Sequence, residues 1–239
     1  WNNTKPQYYN GRRYPSIANY TKSVWEKYQD VKRLNDLAKK IVAYSEKKLY
    51  LLYEGVGEKN IIYVEGMNLD GTLNDNRLNV WNDLRIVLEI FDGSPKITGI
   101  WEATTTPGRH YTNNPMNPKG AAIIKPGQYW SWKVGTHGTK DLHEGLIQKR
   151  SITVYRDKNK NGKIDNTNYE IGMFHINQHW GYDYPQDNIG KGSAGCLAGR
   201  TRQGHREFMK LIKQDPRYQN NQDFTFGATI IPGSELPNK

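Results

Sequence analysis

The chain has 239 residues, a net charge of +10 and one cysteine. That length allows one large domain or a domain with an appendage, and a single cysteine excludes an intrachain disulfide framework. No apolar run is long enough to span a membrane, and the basic balance favours anionic polymers as partners.

Residues 1–15 are polar and read as an extended lead-in. Because the chain opens at Trp1 rather than Met, it is expected to be a processed or trimmed product. A helix is expected from about Ser16 to Lys47. Val24, Tyr28, Val31, Leu34, Ala38 and Ile41 recur at steps of three and four and form one stripe. Its polar face, Lys22 to Lys48, mixes Lys with Glu and Asp as a solvated face does. No zinc-finger spacing or RNA-binding aromatic signature accompanies the charge, so nucleic acid is not an expected partner.

Beyond residue 48 short β runs alternate with turn residues. Strands are expected at Leu49–Tyr53, Ile61–Glu65, Leu84–Ile90, Ile97–Ala103, Ala121–Ile124, Tyr129–Lys133, Leu146–Gln148, Ile152–Arg156, Ile171–Asn177 and Phe224–Ile231. Asp70-Gly71 and Asp92-Gly93 mark turns, and a helix is expected near Gly204–Lys213. The pattern predicts a mainly β fold, a sandwich or barrel-like sheet. The N-terminal helix precedes it, and a short helix follows the cysteine loop. The division expected is 1–48 as an extended and helical segment and 49–239 as the main domain.

Cys196 stands in Lys191-Gly192-Ser193-Ala194-Gly195-Cys196-Leu197. A lone cysteine is often a small buried hydrophobe. In a Gly/Ser-rich turn with His179 upstream, in Ile176-Asn177-Gln178-His179-Trp180, it reads as a nucleophile with its base. A nearby imidazole is expected to lower the thiol pKa, with rapid alkylation below pH 7. Gly195 allows close approach of a substrate, and the amides around Gly195 and Cys196 are candidate oxyanion donors. Ser193 reads equally as a substrate or histidine partner and as a turn residue.

The segment from Gly172 to Cys196, a histidine near the end of a strand followed by a Ser-x-Gly-Cys turn, resembles the catalytic motif of the YkuD-like L,D-transpeptidase family. The runs Gly108-Arg109-His110-Tyr111, Lys125-Pro126-Gly127-Gln128-Tyr129 and Val154-Tyr155-Arg156-Asp157 extend the likeness over about residues 50–233. The resemblance implies a thioester on Cys196, His179 as base, and transfer to an amine of a second peptidoglycan stem peptide or to water. It further implies an extracytoplasmic or phage-associated setting and no cofactor. Two positions depart from the family pattern: Ala194 replaces a histidine, and Ala198 stands where an arginine is usual. Arg200 and Arg202 are therefore candidates for binding a stem carboxylate, since a guanidinium pairs with it bidentately. Trp180 and His137 are candidates for lining the cleft. The competing readings are a peptidoglycan hydrolase and a cell-wall-binding module that has lost activity.

Two stretches carry metal-ligand residue types. His175 and His179, with Asp183, His137 or His143, lack any HExxH-type spacing, and His175 reads as a core-facing strand residue. Asp157 to Asp165 matches the first nine positions of an EF-hand loop, but Asn168 replaces the bidentate glutamate, so a tight turn is the simpler reading.

Overall fold

The computed structural model describes residues 7–9, 12–14, 17–162 and 169–237, with side chains from Glu26 onward within those ranges. The fold is mainly β, with a long N-terminal helix and one large mixed sheet. A hairpin of β1 (Gln7–Tyr9) and β2 (Arg12–Tyr14) precedes α1 (Ile17–Lys47). The strands β3 (Asn60–Glu65), β4 (Asp83–Phe91) and β5 (Ser94–Thr104) follow, then the short helix α2 (Arg109–Asn113). Next come β6 (Ala121–Ile124), β7 (Gly127–His137), β8 (His143–Gln148), β9 (Ile152–Asp157) and β10 (Tyr169–Gly172). The last part holds β11 (Gln178–Trp180), β12 (Leu197–Gly199), α3 (Arg202–Ile212), α4 (Pro216–Asn220) and β13 (Phe226–Pro232).

Eight strands close into a barrel in the order β11-β12-β5-β4-β3-β13-β7-β8, and β10-β9-β6 form a separate three-stranded sheet. Side chains alternate across the barrel wall as the period of two demands. Ile61, Tyr63 and Val87 join Trp132, Leu146 and Phe226 in one cluster. Ile62, Val64, Leu84 and Ile86 join a second cluster, where Leu37, Ala38 and Ile41 of α1 cover them. Each such aliphatic side chain contributes roughly 1.5–3 kcal/mol by leaving water. The apolar stripe of α1 is buried only in its C-terminal half. Tyr28 and Val31 are exposed, while Leu37 and Tyr44 extend the buried face. Val24 lies outside the described side chains.

The Asp92-Gly93 turn forms the β4–β5 hairpin, with both residues at positive φ as a type I′ turn requires. Leu49–Tyr53 is not a strand. The amide side chain of Gln128 instead receives the Leu51 N–H (2.9 Å) and donates to the Leu51 carbonyl (2.7 Å), so a side chain takes the place of a strand partner. The expected strand at Ile171–Asn177 is broken. β10 ends at Gly172, and the chain passes through His175 at φ +57° before β11 begins at Gln178. His175 is exposed rather than core-facing. The helix after the cysteine loop is α3, capped by Thr201, whose hydroxyl accepts the Gly204 N–H (3.0 Å).

Candidate active site

β11 and β12 are three residues each and pair in parallel, with His179 opposite Ala198. This pairing brings the strand that holds the histidine beside the strand that Cys196 enters. Cys196 and His179 both line one open cleft of about 950 Å³, together with His137, Asn177, Tyr182 and Ser193.

The thiol is held by main chain. The Asn177 N–H donates to Sγ (3.4 Å), and Sγ–H points to the His175 carbonyl (3.5 Å). The left-handed backbone of His175 aims that carbonyl at the sulfur; strain of this kind persists only where neighbours enforce it. Burial pushes the thiol up to about 11, the Asn177 N–H opposing it. The expected depression of its pKa is therefore absent, because the groups facing the sulfur are neutral. His179 donates from Nδ1 to the Trp180 carbonyl (2.6 Å), which leaves Nε2 with its lone pair. Burial, then the neighbouring His137, pushes its pKa well below the usual histidine range. Thiol and imidazole are thus both uncharged at neutral pH.

Ser193 is buried. Its hydroxyl accepts the Gly195 N–H (3.1 Å) and donates to the Cys196 carbonyl (2.9 Å), so it closes the turn rather than facing a substrate. Gly195 has φ +119°, and a Cβ there would lie 2.3 Å from the Ala122 carbonyl oxygen on β6. Only glycine fits, and the turn is pressed against the second sheet.

His137 lies in the cleft, stacked on His179 with ring centroids 4.1 Å apart and planes 6° apart. Trp180 does not line it. The indole is buried on the other side of β11, stacked on His143 at 3.8 Å, as a strand's alternation dictates for the residue after His179. It borders a separate cavity of about 500 Å³ with Arg206 and Met209. Arg200 is also placed apart from the cleft, its Nε 2.5 Å from the Glu102 carboxylate on β5. Arg202 binds Asp183 (2.7 Å) and Asp141 (3.0 Å), and so ties the loop after β11 to the β7–β8 connection.

Two residues escaped sequence reasoning. Arg85 on β4 is fully buried with no carboxylate partner among the described residues. It donates to the Tyr63 hydroxyl (2.7 Å), His205 Nδ1 (3.0 Å), and the carbonyls of His179 (3.1 Å) and Leu197 (2.9 Å). It therefore clamps the two short strands from beneath. Gly199 makes room for it, since a Cβ there would lie 2.8 Å from the guanidinium. A lone arginine among the apolar residues of Leu84–Ile90 was the available signal. Asn177 is the second. It contacts the sulfur through its N–H, Leu197 N–H through its carbonyl (3.0 Å), Gln148 N–H through Oδ1 (2.9 Å) and His137 Nδ1 through Nδ2 (3.0 Å).

Among the described residues no three His, Cys, Asp or Glu side chains are grouped to hold a metal ion. In the EF-hand-like loop the Asp157 carboxylate accepts the N–H groups of Asn161 (3.0 Å) and Gly162 (2.8 Å); Asp165 and Asn168 lie outside the described residues. No helix among the described residues is long and apolar enough to cross a membrane. No family model matches the chain, and comparisons with curated proteins and with solved structures return no match.

Proposed function

We propose that this protein is a cysteine-dependent acyltransferase of the L,D-transpeptidase type, acting on peptidoglycan stem peptides in an extracytoplasmic or phage-associated setting. The observation that carries the reading is that Cys196 and His179 share one cleft, with His179 fixed in the tautomer that offers a basic Nε2. The Ser-x-Gly-Cys turn and its likeness to the YkuD-like family supply the substrate class.

In the first step Sγ–H turns from the His175 carbonyl toward Nε2, and the proton transfers as sulfur attacks the peptide carbonyl. A neutral pair suits this order, since the thiolate forms only as attack proceeds. Collapse of the tetrahedral species breaks the C–N bond, and His179 returns the proton to the leaving amine. An acceptor amine or water then cleaves the thioester, with His179 again as base. Arg200 has no part in this scheme because Glu102 holds it.

The test is mass spectrometry of Cys196 after incubation with a tetrapeptide-stem muropeptide or a carbapenem. A thioester on wild type, formed far more slowly by His179→Ala, supports the reading. Cross-linked or shortened muropeptides then distinguish a transferase from a hydrolase. No adduct between pH 5 and 9 sinks the enzymatic reading in favour of a wall-binding module.

A further inference from the structure

We propose that His137 is a second catalytic residue, whose Nε2–H donates to the oxyanion formed when Cys196 attacks a carbonyl. This rests on the acyl-transfer reading above and assigns a separate residue within it.

The inference follows from a chain of hydrogen bonds. The Gln148 N–H donates to Asn177 Oδ1 (2.9 Å), which fixes which way the amide faces. Asn177 Nδ2 is then the atom 3.0 Å from His137 Nδ1, and an amide nitrogen only donates. His137 Nδ1 is therefore an acceptor, and the neutral ring carries its proton on Nε2. Its stacked neighbour His179 has the opposite tautomer, with Nδ1–H on the Trp180 carbonyl and a lone pair on Nε2. Two parallel rings on one cleft wall thus offer complementary groups, a base and a donor.

Three of the main-chain donors beside the nucleophile are already engaged. The Gly195 N–H is engaged by Ser193 Oγ, the Leu197 N–H by the Asn177 carbonyl, and the Asn177 N–H by Cys196 Sγ. Asn177 also sets the distance between the parts, since its main chain touches the sulfur and its side chain holds His137. Burial, then His143, pushes the His137 pKa down to about 4, so the ring stays neutral and keeps the Nε2–H through neutral pH. A neutral imidazole is a competent hydrogen-bonding electrophile.

During attack the Sγ–C bond forms, the carbonyl π pair moves to oxygen, and the thiol proton goes to His179 Nε2. The His137 proton stays on His137 and only hydrogen-bonds the oxyanion. When the intermediate collapses, the pair re-forms C=O and the leaving group departs.

The experiment compares two reactions of Cys196. p-Nitrophenyl acetate acylates the thiol through a tetrahedral oxyanion, whereas iodoacetamide alkylates it by displacement at a saturated carbon. His137→Phe keeps a stacking ring without the N–H. It is expected to slow acylation by about 100-fold and leave alkylation within about twofold; His137→Gln, which restores an N–H donor, should recover about tenfold. Equal losses in both reactions, or none in either, overturn the proposal. If wild type acquires no acetyl group on Cys196 and no carbapenem adduct, the acyl-transfer reading fails and takes this proposal with it. An acylated wild type with an unimpaired His137→Phe sinks the proposal alone. Should the variants not fold, imidazole 15N NMR of the wild type decides: protons on His137 Nε2 and His179 Nδ1 support the assignment, and a His137 proton on Nδ1 overturns it.

Discussion

Two groups of buried ionisable side chains meet the same physical demand in opposite ways. His137, His143, His179 and His205 form a connected layer of rings, with successive centroids 4.1 to 6.0 Å apart. Burial lowers the pKa of all four, so the layer is held uncharged. At one end of β3 and β4, Glu65 and Asp83 share the Thr105 hydroxyl at 3.1 and 2.9 Å. Burial, then Asp83, pushes Glu65 up to about 8, so this pair keeps a proton. In both places the chain avoids a buried charge by choosing the uncharged form. Acid therefore attacks the first group and alkali the second. For the histidines, stability is fully present above their unfolded value of 6.5 and is lost as pH falls toward the lower folded values. For Glu65 it is fully present below 4.5 and is lost as pH rises through about 8.

The largest effect is expected where the two groups adjoin. Arg85 lies two residues from Asp83 on the same face of β4 and bonds His205 and the His179 carbonyl. Arg85→Met strands those buried acceptors and should cost on the order of 3–5 kcal/mol in urea unfolding. Glu65→Gln should change little below pH 4.5 and stabilise increasingly above it, by about 2 kcal/mol at pH 6 and more at pH 8.5, flattening the alkaline limb. A destabilised variant at both pH values would show that Glu65 is ionised in the fold. Ser193→Ala leaves the barrel intact at a cost of about 1 kcal/mol, and should slow acylation of Cys196 more than it lowers the melting temperature. His143→Phe keeps the stack on Trp180 and removes one base, Nε2 of which is buried with no hydrogen-bond partner among the described residues. Its acid unfolding midpoint should shift slightly to lower pH, by less than about 1 kcal/mol in stability. The smallest perturbation is a titration: Cys196 alkylation should be slow at pH 7 and climb toward pH 11, and fast alkylation below pH 7 would contradict the uncharged pair.

Much of the barrel was legible because its strands alternate. Ile61–Glu65, Leu84–Ile90 and Ile97–Ala103 carry the period of two that separates the interior from the face under α1. Leu49–Tyr53 has the same composition, but its hydrogen bonds go to Gln128, 77 residues away, which no local pattern reveals. The break at His175 was hidden for a similar reason, since a left-handed histidine has no compositional mark. Within the site, the meeting of Cys196 and His179 in one cleft was legible from residue type and order. The charge state of that pair was not, because it depends on burial. Nor were the roles of Asn177 and Arg85, whose partners come from distant strands. Arg200 and Trp180 were drawn toward the site by proximity in sequence, whereas strand alternation and Glu102 turn them elsewhere.

The parallel pair β11–β12 is three residues long, and Arg85 fastens it to the barrel from inside. The strand that carries His179 and the strand that Cys196 enters are both staves of the closed barrel. Heating should therefore give coincident curves for the proposed acylation of Cys196 and for unfolding, with no folded but unreactive species between them. Hydrogen exchange at the Leu197 amide should report the opening of the whole barrel rather than a local flap.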